Sequence, residues 1–176
     1  KIIILVLLPN LAFAKTTGLV GTSISMLKLK DFEYKSNKDQ LQLSSINLGF
    51  NHSINNILLS ASTNRFINRE VAMEIISKKN NQSYISRTKL TTDTFTAGYI
   101  AGKYMPTFSL TNATLKNNLF YKNIKVATKK QNGVVYSVGL TYFFKDFNVN
   151  GSILAPNQRL GLDTGFVLGI NYIFNL

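Results

Sequence analysis

The chain of 176 residues contains no cysteine and no tryptophan, one histidine, three prolines and eight acidic residues. Without thiols, a disulfide framework, a thiolate zinc centre, an iron–sulfur cluster and a catalytic cysteine are all excluded. The lone histidine, His52, excludes a metal site built on two imidazoles. Charged residues make up only 16% of the chain and hydrophobic ones 45%, which excludes a disordered polar polypeptide. Long apolar runs are scarce as well. The run from Ile2 to Leu8 has less than half of the ~20 residues that a spanning helix requires. The remaining apolar residues come in short alternating bouts, so neither a helical membrane protein nor a coiled coil is expected.

That first run has the layout of a secretory signal. Lys1 precedes it, Pro9 and Asn10 follow, and Ala12-Phe13-Ala14 places small residues three and one positions before a cut ahead of Lys15. A signal peptide over residues 1–14 and a single domain over 15–176 are expected. The competing reading, a buried core helix, is opposed by Pro9.

Beyond Lys15 nearly every stretch alternates with period two, and Asn, Lys, Gly, Ser and Pro separate the stretches. Eight strands are predicted, at residues 17–29, 40–53, 57–77, 83–104, 107–121, 133–144, 148–155 and 161–176. In the eighth, Phe166, Leu168, Ile170, Tyr172, Phe174 and Leu176 share one face, opposite Gly165, Val167, Gly169, Asn171, Ile173 and Asn175. The sixth sets Val134, Tyr136, Val138, Leu140, Tyr142 and Phe144 against Val135, Ser137, Gly139, Thr141 and Phe143. The second and seventh follow suit. In the first, Leu27 and Leu29 fall out of phase with Val20, Thr22, Ile24 and Met26, which predicts a bulge.

Short turns are expected at Ile54-Asn55-Asn56, around Met105-Pro106 and at Lys145-Asp146, and longer polar connections at 30–39, 78–82, 122–132 and 156–160. Short turns at one end and long loops at the other predict an antiparallel, up-and-down transmembrane β-barrel of an outer membrane. An extra hairpin within 57–104 would raise the strand count to ten, but would leave a seven-residue strand at 71–77, below the ~9–11 residues a tilted span needs.

Alternation alone also suits a soluble lipocalin-like barrel or a sandwich, so the second face decides. A wet exterior should carry Lys and Glu, whereas the second phase of strands two, six and eight is almost entirely Gly, Ser, Thr and Asn with a few apolar residues. Such groups suit a crowded, hydrogen-bonded interior, and a closed barrel satisfies every backbone amide in hydrocarbon. With both ends of the barrel chain on the periplasmic side, Phe50, Tyr104, Phe108, Tyr142, Phe144, Phe147, Tyr172 and Phe174 fall near that rim as an aromatic girdle.

On this layout, and above all on the final strand from Gly165 to Leu176, the chain resembles the small bacterial outer-membrane β-barrels, the group of opacity-type and OmpA-type eight-stranded proteins. The resemblance implies that Phe166, Leu168, Ile170, Tyr172, Phe174 and Leu176 form the signal read by the barrel-assembly machinery. Leu176 departs from the terminal Phe usual in that family, while Tyr172 and Phe174 keep its pattern. Outer-membrane lipids and lipopolysaccharide are the implied surroundings.

Candidate chemistry is sparse. Outer-membrane lipid A deacylases pair a histidine with a serine two residues on, whereas His52 and Ser53 are adjacent and point to opposite faces of a strand. Glu70 and Glu74 share a face but lie ~13 Å apart in an extended chain, too far for paired acid–base work; loop solvation or a lumen ion pair with Arg65 or Arg69 is the expected role. No phosphate loop, nucleophile elbow or calcium loop occurs. No cofactor and no metal are expected.

The strongest chemical bias is charge. The formal net charge is +12. Lys28, Lys30, Lys35 and Lys38 bracket the first long connection; Lys78, Lys79, Arg87 and Lys89 mark the second; Lys122, Lys125, Lys129 and Lys130 mark the third. A cationic loop end can pair with lipopolysaccharide phosphates or with host surface glycans and proteins. An exported barrel is a poor fit to nucleic acid despite the charge. The expected function is therefore structural or adhesin-like surface binding through basic loops on a rigid barrel, without catalysis. A lipid-modifying hydrolase at His52, a narrow ion pore and a soluble secreted binding barrel are the alternatives.

Overall fold

The computed structural model describes residues 15–29, 34–36, 40–66, 71–79 and 81–176; the expected leader lies outside them. Ten strand segments follow in order: β1 Lys15–Leu29, β2 Tyr34–Ser36, β3 Gln40–Ile54, β4 Ile57–Phe66, β5 Val71–Ser77, β6 Ser83–Tyr99, β7 Tyr104–Tyr121, β8 Ile124–Phe143, β9 Phe147–Leu154 and β10 Leu162–Asn175. All pair antiparallel. Eight close a ring in the order β1, β3, β4, β6, β7, β8, β9, β10, with β10 returning to β1 from Thr17↔Asn175 to Leu29↔Leu162.

The expected eight-stranded up-and-down barrel is thus observed. Its third strand, predicted at 57–77, is two segments that occupy one edge of β6: β4 against residues 91–99 and β5 against 83–88. β2 pairs with the far edge of β5 over three residues inside what was expected to be a plain connection. The ten segments therefore do not make a ten-stranded ring.

Three local expectations need correction. The turn predicted at Met105-Pro106 lies at residues 100–103, where Gly102 takes a left-handed conformation (φ 65°) that costs glycine little. Pro106 is inside β7, opposite Leu140, and the β6–β7 ladder ends at Gly98↔Thr107, so its missing N–H interrupts no pairing. The stretch 122–132 is not a loop: Lys122 and Asn123 form a two-residue turn, both with positive φ, and β8 begins at Ile124. Finally, the irregularity expected from Leu27 and Leu29 occurs at Leu29 and does not involve Leu27. Leu27 lies in the inward phase with Leu19, Ser23 and Ser25, its register with β3 is continuous, and the irregularity sits at Lys28/Leu29 against β10 alone.

The outward phase is apolar through the ring. Leu48, Leu140 and Leu168 are 50%, 50% and 48% exposed, as are their neighbours Ile46, Val138 and Ile170 to similar degrees. Rings gather at the short-turn end. Tyr142 contacts both Tyr104 (5.0 Å between centroids) and Phe144 (4.8 Å), and Tyr172 contacts Phe147 (5.2 Å) and Phe174 (6.3 Å). The Phe174 ring also covers Gly18, where a Cβ would meet it at 2.2 Å. Side chains that are amphipathic or aromatic at the edge of an apolar band are the signature of a membrane interface.

The interior is divided. Next to the short-turn end it is polar: Ser23 and Ser45 hydroxyls lie 2.7 Å apart, Asn47 Nδ2 donates to Asn171 Oδ1 (3.2 Å), and Asn171 Nδ2 donates to Asn148 Oδ1 (2.8 Å) and Asn150 Oδ1 (3.2 Å). These bonds tie β1, β3, β9 and β10 across the lumen, so the buried amides keep partners. Toward the loop end, Leu27, Leu41, Leu43, Leu90, Leu115, Val135, Leu160 and Leu162 pack into an apolar plug. There the interior is more apolar than the expected filling of Gly, Ser, Thr and Asn with a few apolar residues. A cavity of about 180 Å³ lies in the lumen between these groups.

Candidate anion-binding surface

Above the apolar band, β6, β7 and β8 continue as an arm. The β7–β8 register that follows the hairpin turn at Lys122-Asn123 pairs Lys116 with Lys130, and the β6–β7 register pairs Lys89 with Lys116. Three lysines therefore stand side by side across three neighbouring strands, on the outer face and exposed. Directly opposed residues hold their Cβ atoms about 5 Å apart, and like charges there repel. On β8 the outward sequence runs Tyr136, Val134, Asn132, Lys130, so the row begins two outward positions beyond the apolar band. Behind it, facing inward, are Leu90 and Leu115 of the plug.

The remaining predicted cations gather around this row. Arg87 lies over the Phe120 ring at 4.7 Å, a cation–π contact that leaves the guanidinium edge open to an anion. Lys122 sits 5.5 Å from the Tyr121 ring, and Tyr121 contacts Tyr84 at 5.6 Å, which brings the tips of the β5–β6 and β7–β8 hairpins together. Lys78 and Lys79 occupy the turn after β5; Lys125, Lys129 and Lys130 are on β8. The predicted set is thus brought to one end, with Arg87, Lys89, Lys125, Lys129 and Lys130 on strands and Lys78, Lys79 and Lys122 in turns. Lys116 was missed: within a strand it reads as one polar residue, and only the register reveals its place between Lys89 and Lys130. Lys28 lies apart, 3.5 Å from Asp163. Lys30 and Lys38 lie outside the described residues.

Acidic groups do not neutralise the row among the described residues. Asp93 faces Arg65 at 3.8 Å, and Glu74 accepts a hydrogen bond from Ser83 Oγ at 2.6 Å. The ion pair expected in the lumen for Arg65 is instead this exposed, outward pair; Arg69 and Glu70 lie outside the described residues. No cluster of three metal-ligating side chains occurs among the described residues.

His52 is at the opposite end. Its Nδ1 is 2.9 Å from Thr16 Oγ1, while Ser53 turns to the other face and donates to the Lys15 carbonyl at 3.3 Å. The two side chains do not converge, as their adjacency in an extended strand requires.

No family model matches the chain, and no curated protein matches it. Solved structures do. Ail, the attachment invasion locus protein of Yersinia pestis, in complex with the heparin analogue sucrose octasulfate, superposes with a TM-score of 0.62 at 14% identity, covering 92% of this chain and 99% of that one. Neisserial surface protein A gives 0.53 at 9% identity over 93% and 99% of the two chains. The outer membrane protein OprG from Pseudomonas aeruginosa gives 0.57 at 10% identity over 92% and 97%. With its closed ring and its apolar exterior, this chain has the fold of the small eight-stranded outer-membrane barrels.

Proposed function

We propose that the chain, exported by the leader at residues 1–14, is an outer-membrane surface protein that binds anionic glycans on the outer face of its β6–β8 arm, without a chemical step. The Lys89–Lys116–Lys130 row carries this reading. Three opposed cations cost stability in the free protein, and a phosphate or sulfate seated among them relieves that repulsion. Lysine is a point-charge partner for such groups, and the Arg87 guanidinium beside the row adds planar, directional donors.

The row's height above the apolar band suits phosphates of lipopolysaccharide in the same membrane, and its exposure suits sulfated glycans of another surface. The heparin analogue held by Ail supports the second source as chemistry this fold can accept. Assembly would use the outward side chains of β10, Phe166, Leu168, Ile170, Tyr172, Phe174 and Leu176, as the strand that the barrel-assembly machinery reads before it closes on β1.

The test is retention on immobilised heparin and binding to phosphorylated and dephosphorylated lipopolysaccharide, with the barrel in detergent. The triple variant Lys89→Gln, Lys116→Gln, Lys130→Gln is expected to lower affinity about tenfold or more and to flatten the salt dependence. Unchanged affinity and salt dependence for both ligands would remove the row from the function.

A further inference from the structure

The tip of the arm carries exposed apolar side chains where the hydrocarbon of the protein's own membrane does not reach. Tyr121 stands about 17 Å beyond Lys116 along β7, at ~3.4 Å per residue, and the lysine row is itself past the apolar band. Yet Ile124, Val126 and Ile85 are 69%, 51% and 41% exposed there. The apolar groups occupy both faces of the sheet. On one, Ile85 stands opposite Phe120, whose ring lies under the Arg87 guanidinium. On the other, Ile124 stands opposite Tyr121, whose ring meets Tyr84 at 5.6 Å. Two sides of one sheet cannot bury each other.

Cations surround this tip. Lys122 is in the hairpin turn, Lys125 pairs with Phe120, Lys79 lies in the turn after β5, and Arg87 is one outward position below Ile85. Glu74, opposite Ile85, is the one acidic side chain at the tip among the described residues, and it accepts from Ser83 Oγ. A phosphate or sulfate by itself engages the cations and leaves Ile124 and Val126 in water. A groove in another protein would have to wrap both faces of the hairpin. A bilayer with negative headgroups does both at once: the apolar groups enter the headgroup–acyl boundary from either face, while the long lysine stems keep their ammonium groups level with the phosphates. The turn has only two residues, and at a depth of ~5–10 Å its free backbone groups stay among headgroups rather than in hydrocarbon.

We propose that the tip of the β7–β8 hairpin, with Ile124 and Val126 as its anchors, enters the headgroup region of an anionic phospholipid bilayer. The tip is on the far side of the lysine row from the apolar band, so that bilayer belongs to an apposed surface. The anchors are not part of the Lys89–Lys116–Lys130 row, and the inference stands apart from the glycan reading.

The test uses the whole barrel in zwitterionic nanodiscs. The probe is sucrose-loaded vesicles of phosphatidylcholine, alone or with about 30% phosphatidylserine, collected by centrifugation. The double variant Ile124→Ser, Val126→Ser removes the anchors and keeps every cation. Because the chain has no cysteine, Ile124→Cys takes a single environment-sensitive dye at the tip. Asn132→Cys, at an exposed position one outward step nearer the band than Lys130, takes the same dye as a control.

The expected result is saturable sedimentation of the wild type with the anionic vesicles, and binding about tenfold weaker both for the double variant and for neutral vesicles. The dye at Ile124→Cys should shift to the blue and be quenched by nitroxide-labelled lipid, and the dye at Asn132→Cys should do neither. Heparin retention of the double variant should match the wild type. Should the double variant fail to fold, the two dye positions still decide. Equal sedimentation of double variant and wild type means charge alone and overturns the proposal. An unshifted dye at Ile124→Cys, equal binding of the two kinds of vesicle, or no sedimentation overturns it too. A blue shift that grows with barrel concentration in detergent, without vesicles, overturns it in favour of a second copy. If heparin binding fails while the tip dye enters anionic vesicles, the glycan reading falls and this one stands.

Discussion

Within the same three strands, β6 to β8, the chemistry of the two faces reverses along the strand. In the band, Phe95, Leu110 and Val138 face outward while Thr96, Ser109 and Ser137 face the lumen. At the level of the lysine row, Lys89 and Lys116 face outward while Leu90 and Leu115, their strand neighbours, face inward. The pleat does not slip; the solvent changes. Outside the band the neighbour is hydrocarbon, so apolar groups belong there and the crowded interior is satisfied by hydroxyl and amide bonds. Outside the row the neighbour is water and headgroup, so the apolar groups move inside and pack on one another. The reversal marks the hydrocarbon boundary on the protein itself.

Breaking the inner side of the reversal should have the largest effect. Leu41 is 1% exposed and belongs to the plug beside Leu43 and Leu27. Leu41→Ala is expected to cost about 2–5 kcal/mol, through lost burial and the cavity left behind. Reversible unfolding in urea with lipid vesicles measures it, and a cost below about 1 kcal/mol would mean the plug is not packed as described.

The outer side can be probed by exchanging its chemistry between regions. Leu140→Lys places a cation in the hydrocarbon band and is expected to cost about 2–4 kcal/mol, whereas Lys130→Leu, on the same face of β8 beyond the boundary, should change stability by under about 1 kcal/mol. The two variants add and remove one charge on one strand. Equal effects in the same unfolding assay would erase the boundary drawn between Val134 and Lys130.

This reversal also explains what could be read from the residues beforehand. In the band, both faces are chemically pure, so the strands, the outward phase and the eight-stranded closure were legible from β3, β8 and β10. Leu27 looked like a bulge because a single assignment of apolar to outward was carried past the boundary, where the pleat continues but the apolar side is the inner one. The segment 122–132 looked like a loop because both of its faces are wet, which removes the period-two signal although from Ile124 the backbone pairs with β7, with one irregularity opposite Leu119/Phe120. For the same reason cations that stand on strands β6 and β8 were expected on loops, and Lys116 was absent from the expected group. Its significance lies wholly in register, which no local pattern encodes.

The smallest effect is expected where the arm turns. Lys122 and Asn123 both carry positive φ, 46° and 66°. The pair matches the twist of a two-residue hairpin, and asparagine is at ease in that conformation, whereas a lysine Cβ crowds its own carbonyl there. Lys122 is held by the turn and by its place over Tyr121. Lys122→Gly should relieve the crowding at the cost of that ring contact, raising stability by about 0.5–1 kcal/mol at most. The gain should be read as slower hydrogen exchange at the amides of β7 and β8 near the turn, with the band unaffected. A change of exchange throughout the ring would mean that arm and band unfold as one unit, and the boundary would then be chemical without being mechanical.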